Sequence, residues 1–132
     1  MSTEIKVSTS DEQEGSLKVA FATNDSENIN AHFGSAKQFY IYSVTKDDAA
    51  IVQVINIETK DTDKTVALLQ GMDIVYFVNI GPTAAAKIIN SGIFPIKYKE
   101  VISIETELNK LQNMLGDNPP PFIKKIIAKK AA

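Results

Sequence analysis

Apolar positions along this chain repeat with two periods, and the places where one period gives way to the other divide it into strands and helices. Leu17, Val19, Ala20, Phe21 and Ala22 form a compact apolar run of strand length. Thr23-Asn24-Asp25-Ser26 ends it, because short polar side chains capture neighbouring backbone groups. The segment from Gln38 to Val44 is aromatic and β-branched and predicts a second strand, and Ile51 to Ile57 alternates into a third. Turn chemistry at Lys46-Asp47-Asp48-Ala49 makes these two an antiparallel hairpin, with the first strand beside them.

From Thr59 the period lengthens to that of a helix. Thr62 is placed to cap a short helix with Val66, Leu68 and Leu69 as its stripe and Gly71 as its left-handed stop. Ile74 to Ile80 runs apolar on both faces, as a central strand covered on both sides does. Gly81-Pro82-Thr83 opens a second helix whose buried face is Ala84, Ala85, Ile88 and Ile89, and Gly92 ends it. Phe94 to Tyr98 supplies a fifth strand. Ser103 caps a third helix carrying Ile104, Leu108, Leu111 and Leu115 on one face and stopped by Gly116. After the stiff spacer Asn118-Pro119-Pro120-Pro121, Phe122, Ile123, Ile126 and Ile127 share one face of a last helix, with Lys124, Lys125, Lys129 and Lys130 opposite. A tail helix packed on the domain, its lysines snorkelling to water, is preferred over a membrane-surface or partner helix. The order βββαβαβα plus a C-terminal helix is that of an α/β domain with a mixed sheet.

Composition narrows the chemistry. At 132 residues the chain is expected to be a single domain over 17–132, preceded over 1–16 by a flexible acidic arm with one lysine against four acids. No apolar run approaches the roughly 20 residues of a membrane span, and Met1 to Lys6 lacks the character of a signal peptide, so a cytoplasmic protein with no membrane partner is expected. There is no cysteine, which removes disulfides, thiol catalysis and thiolate ligation of iron–sulfur clusters. All 14 basic residues are lysines, so the arginine fork that reads guanine edges is missing and no nucleic-acid partner is expected. A monomer is expected.

The one side chain suited to a transition metal at neutral pH is His32, the only histidine, in the loop after the first strand. Ligand crevices in open α/β sheets lie beyond the carboxyl ends of strands whose connections diverge. With the first and fourth strands as parallel neighbours, the loops from Thr23 to Ala36 and from Asn79 to Thr83 face each other, and His32 faces Gly81-Pro82-Thr83. A helix starting there aims free N–H groups and partial positive charge at the crevice, which favours an anion, helped by Lys37 or Lys87. From spacing alone, Gly81-Pro82-Thr83 is first an efficient helix start and a lone histidine first a surface residue. No nucleotide-binding, zinc-protease or serine-hydrolase motif is present, and Asp25 with Glu27 reads more simply as solvated than as an acid–base pair.

Taken in order, the segments K-V-A-F-A-T-N-D, N-A-H-F-G-S-A-K-Q-F-Y-I-Y, D-I-V-Y-F-V-N-I-G-P-T-A-A-A-K-I-I and S-G-I-F-P-I-K resemble the dinitrogenase iron–molybdenum cofactor biosynthesis family. The resemblance covers the chain from about Leu17 to Lys125. It implies a ribonuclease H-like α/β fold, with five strands in a mixed sheet and helices on both faces. It also implies a non-enzymatic role in nitrogen fixation: binding the iron–sulfur precursor of the iron–molybdenum cofactor, and the cofactor itself, among the nitrogenase cofactor-assembly proteins. The family's histidine in H-F-G matches His32, the implied metal ligand, and the implied cofactor-binding set is His32, Phe33, Gly34, Ser35, Asn24, Gly81, Pro82 and Thr83. Many relatives have a cysteine where this chain has Met72, so a thiolate ligand is missing and Met72 is expected to pack. The competing readings are a chaperone of cofactor-free dinitrogenase and a ribonuclease H-like enzyme holding a divalent ion through Asp25.

Overall fold

A computed structural model describes residues 16–116 and 119–131. The acidic arm, apart from Ser16, and Asn118 of the spacer lie outside the described residues. In chain order the elements are β1 Leu17–Thr23, β2 Asn28–Ile29, β3 Gln38–Val44, β4 Ala49–Asn56, α1 Thr62–Leu68, β5 Ile74–Phe77, α2 Pro82–Asn90, β6 Phe94–Lys97, β7 Ile102–Ser103, α3 Ile104–Gly116 and α4 Pro121–Ala131. Five strands form one sheet in the order β4-β3-β1-β5-β6. β1 pairs antiparallel with β3 and parallel with β5, so the sheet is mixed and its strand directions diverge at β1. β5 pairs parallel with β6.

Period-two alternation sends the central strands' side chains into two cores. On one face Ala20, Ala22, Val75 and Phe77 meet Val66 and Leu69 beside α1 and Ile88 of α2. On the other, Leu17, Val19, Phe21, Ile74 and Tyr76 meet Ile104 and Leu111 of α3 and Ile123 of α4. The Phe21 and Tyr76 rings stack at 4.7 Å across the β1–β5 pair. Helices cover both faces of the α/β sheet, as the hydrophobic pattern requires.

Several local expectations change. The apolar run Ile74 to Ile80 is not one strand: β5 stops at Phe77, and Val78 and Asn79 turn to the loop after β1. β2 and β7, absent from the reading of the sequence, pair as a separate two-stranded sheet. Helix α1 is capped by Asp61 rather than Thr62, its carboxylate accepting from the Asp63 and Lys64 N–H groups. A carboxylate there also suits the positive end of the helix dipole. Gly71, at φ +92°, makes the left-handed turn before β5 as expected. Ile89 points to solvent at 59% exposure, and on α2 only Ile88 is fully buried, with Ala84 and Ala85 half-buried.

Two of the lysines expected to be solvated on α4 are engaged. Lys130 Nζ lies 3.0 Å from the Asp73 carboxylate, which also accepts the Lys18 N–H at 2.8 Å. Lys129 Nζ donates to the Gly92 carbonyl at 3.4 Å. The tail helix is packed on the domain, with Ile123 wholly buried.

Candidate functional site

The loop from Asn24 to Lys37 is anchored by its alternate residues. Ile29, Ala31 and Phe33 are buried, whereas His32 is exposed. The alternation in I-N-A-H-F marks an extended segment, though it does not say which strand that segment meets. It does pair: Val78 N–H donates to the Ala31 carbonyl and Phe33 N–H to the Asn79 carbonyl, both at 3.0 Å. His32 and Asn79 thereby form a parallel bridge just beyond the carboxyl end of β5. The Phe33 ring sits 5.7 Å from Phe39 and 6.0 Å from Phe77, centroid to centroid, and holds the loop down. Gly34 and Ser35 are exposed on the single 3-10 turn Phe33–Ser35, closed by Ser35 N–H to the His32 carbonyl at 3.1 Å.

Two residues after Asn79 the chain reaches Gly81, the N-cap of α2, which offers no side-chain cap. Pro82 has no N–H and Gly81 has no side chain to cap the helix, so the first-turn amides of Thr83 and Ala84 are left without a side-chain cap. Gly81, Pro82 and Thr83 are all exposed. A Cβ added at Gly81 would meet nothing within 4 Å, leaving room for a bulky group at the helix start. The loops expected to face one another are therefore joined, and His32 stands beside the open end of α2.

Other candidates are placed differently. Phe33 contributes its ring to the core and its N–H to Asn79, so it anchors the loop. Asn24 uses its Oδ1 to accept the Lys37 N–H at 3.2 Å. Lys87 is paired with Asp63 at 2.8 Å. Asp25 accepts from the Glu27 and Asn28 N–H groups and from Asn28 Nδ2, which holds its carboxyl down at about 2. Among the described residues no three His, Asp or Glu side chains are grouped to hold a metal ion. Met72 packs half-buried beyond the amino end of β5, seven residues and so roughly 23 Å of extended chain from Asn79. A depression of about 460 Å³ lined by Glu27, Tyr42 and Glu105 and one of about 530 Å³ beside Leu68 both lack His32 and Gly81. The His32 site is an open surface.

Comparison with known proteins bears on this geometry. A family described as dinitrogenase iron-molybdenum cofactor matches residues 15–114. The chain is 35% identical over 123 residues to Protein NifX of Rhodobacter capsulatus, covering 84% of this chain and 77% of that one. It is 31% identical over 118 residues to Protein NifX of Azotobacter vinelandii, covering 84% and 75%. The crystal structure of PH0822 shares the fold with a TM-score of 0.64 at 20% identity, over 74% of this chain and 89% of that one. In the described residues no helix is long and apolar enough to cross a membrane.

Proposed function

The chain belongs to the dinitrogenase iron-molybdenum cofactor family, and from that premise we propose that it carries an iron–sulfur precursor of the iron–molybdenum cofactor, and the finished cofactor, during nitrogenase cofactor assembly. The observation that carries this reading is the His32–Asn79 bridge, which sets the only imidazole beside the uncapped start of α2. An anionic metal–sulfur cluster meets there a nitrogen ligand from His32 and N–H donors from Thr83 and Ala84. Exposed Gly34 and Ser35 border the same surface, and Gly81 and Pro82 leave it open. The cargo brings its own sulfides, so a cysteine-free chain suffices to hold it. One imidazole with backbone donors on an open face also permits release, which a set of thiolates would oppose.

In this reading the chain is a cytoplasmic, monomeric, non-catalytic carrier that exchanges cargo with the cofactor-assembly proteins and does not bind nucleic acid. The ribonuclease H-like label belongs to the same reading, supported by the mixed five-stranded order with helices on both faces. The test is anaerobic mixing with the isolated precursor, followed by gel filtration and iron analysis. Co-elution of iron with the protein is expected, and His32→Ala should weaken it while leaving the fold intact, since a loop side chain adds little to the core. X-ray absorption should show a light nitrogen scatterer that is lost in the variant. Gly81→Val, at a position of φ −77° with open space around the Cβ, should fold normally and bind less because the added side chain fills the approach. Unchanged affinity and an unchanged metal environment in His32→Ala would remove the imidazole from the site.

A further inference from the structure

The loop that presents His32 is tied at its base by two asparagine side chains. Asn24 N–H donates to Asn30 Oδ1 at 2.8 Å, and Lys37 N–H donates to Asn24 Oδ1 at 3.2 Å. These bonds join three points of one loop: where it leaves β1, where it turns back toward β5, and where it enters β3. Between the last two run Ala31 to Phe33, the stretch that bridges Val78 and Asn79. The same 24–30 span holds Ser26 in the left-handed region at φ 69°, an uncommon conformation for a residue with a Cβ. It is kept there by the Ser26 N–H bond to Thr23 Oγ1 at 3.0 Å and by the Asp25 turn.

Resting on the carrier reading above, we propose that Asn24 and Asn30 are positioning residues, a latch that keeps His32 aligned with the start of α2 and so sets how tightly the cargo is held. Both bonds are exposed, so their loss costs the whole fold little. A surface loop opens locally at a small free energy, and there one or two bonds weigh heavily. Apparent affinity scales with the fraction of molecules whose loop is closed, so a latch whose loss lowers that fraction to about one tenth weakens binding about tenfold. The carboxamide oxygen of Asn30 is the acceptor, and an aspartate at the same position retains it.

The experiment compares the parent chain, Asn24→Ala, Asn30→Ala and Asn30→Asp, using isolated iron–molybdenum cofactor under anaerobic conditions and enough salt to screen the added charge. Alongside it, amide hydrogen exchange is followed in the cargo-free proteins. The alanine variants should bind about tenfold more weakly and melt within a few degrees of the parent. Their amides at Lys37 and Phe33 should lose protection, and Asn30→Asp should stay within about threefold of the parent in affinity. A parent that binds while Asn30→Ala binds equally well overturns the latch, as does an Asn30→Asp variant that fails as Asn30→Ala does. A parent that binds no cofactor sinks the carrier reading instead. The latch is then judged on exchange alone: lost protection in Asn30→Ala supports it, and unchanged protection overturns it.

Discussion

Asp25 holds the start of the His32 loop through three bonds, from Glu27 N–H at 3.0 Å, Asn28 N–H at 2.9 Å and Asn28 Nδ2 at 3.0 Å. They lower its pKa from 3.8 to about 2, the Asn28 side chain contributing most. A carboxylate depressed in the folded state stabilises fully above its unfolded pKa, and that contribution is lost as pH falls through the folded one. Between about pH 4 and pH 2 the loop amides of Glu27 and Asn28 should therefore lose exchange protection in step with Asp25 protonation. Asp25→Asn, which cannot titrate, should flatten that step, and a step that persists in the variant would belong to another carboxylate. A buried acid, unlike the exposed Asp25, shows what residue-level reading passes over. Glu107 is 3% exposed, accepts from the Tyr98 hydroxyl, and has its other oxygen 3.2 Å from Lys110 Nζ. That oxygen makes no hydrogen bond of good geometry, so the ion pair is a charge contact only. Burial, with Glu107 beside it, pushes the Tyr98 phenol upward. The signal was present in the spacing of Ile104, Glu107 and Leu111, which puts the acid on the buried stripe.

At the scale of elements, α2 separates what periodicity can tell from what it cannot. Ile88 and Ile89 are equally apolar neighbours, but a helix turns 100° between them, and only Ile88 enters the core below the sheet. Ile88→Ala should cost about 2–5 kcal/mol in urea unfolding, and Ile89→Ala should fall within about 0.5 kcal/mol of the parent. Equal losses would mean that Ile89 is covered in solution. The central strand shows the converse case. Its apolar run continues to Ile80, yet the sheet uses only Ile74 to Phe77, because beyond Phe77 the backbone groups of Val78 and Asn79 are satisfied by Ala31 and Phe33. That exchange of partners brings His32 alongside Asn79.

For the whole molecule, α4 closes the second core. Ile123 is fully buried there, Phe122 stacks on Phe94 at 4.7 Å, and Lys130 reaches Asp73 at the start of β5. Hydrophobic burial outweighs an exposed ion pair, so Ile123→Ala should destabilise by about 2–5 kcal/mol and Lys130→Ala by less than about 1 kcal/mol. Denaturant melts of the two variants give the comparison. A Lys130→Ala loss as large as that of Ile123→Ala would show that α4 is held by charge. The candidate site lies at the carboxyl ends of β1 and β5, away from Gly71 and Met72 at the other end of the sheet. Repacking around Met72 should therefore leave the His32 surface unchanged.

In the sequence, hydrophobic periodicity marks the five principal strands and the four helices, turn chemistry marks the hairpin, and the order of elements points to the parallel pairing of the first and last-but-one principal strands and to the two loops beyond them. The strands and helices follow from local spacing, because alternation and the helical repeat state which side of each element must be buried. The tertiary structure alone decided where the apolar run after Ile74 leaves the sheet, that β2 and β7 pair, that Asn24 braces its loop with its Oδ1, and that Asp61 rather than Thr62 caps α1. Each of these depends on which partner is nearest to an unsatisfied backbone group once the chain is folded, and partners as far apart in sequence as Phe33 and Asn79 leave no trace in local spacing.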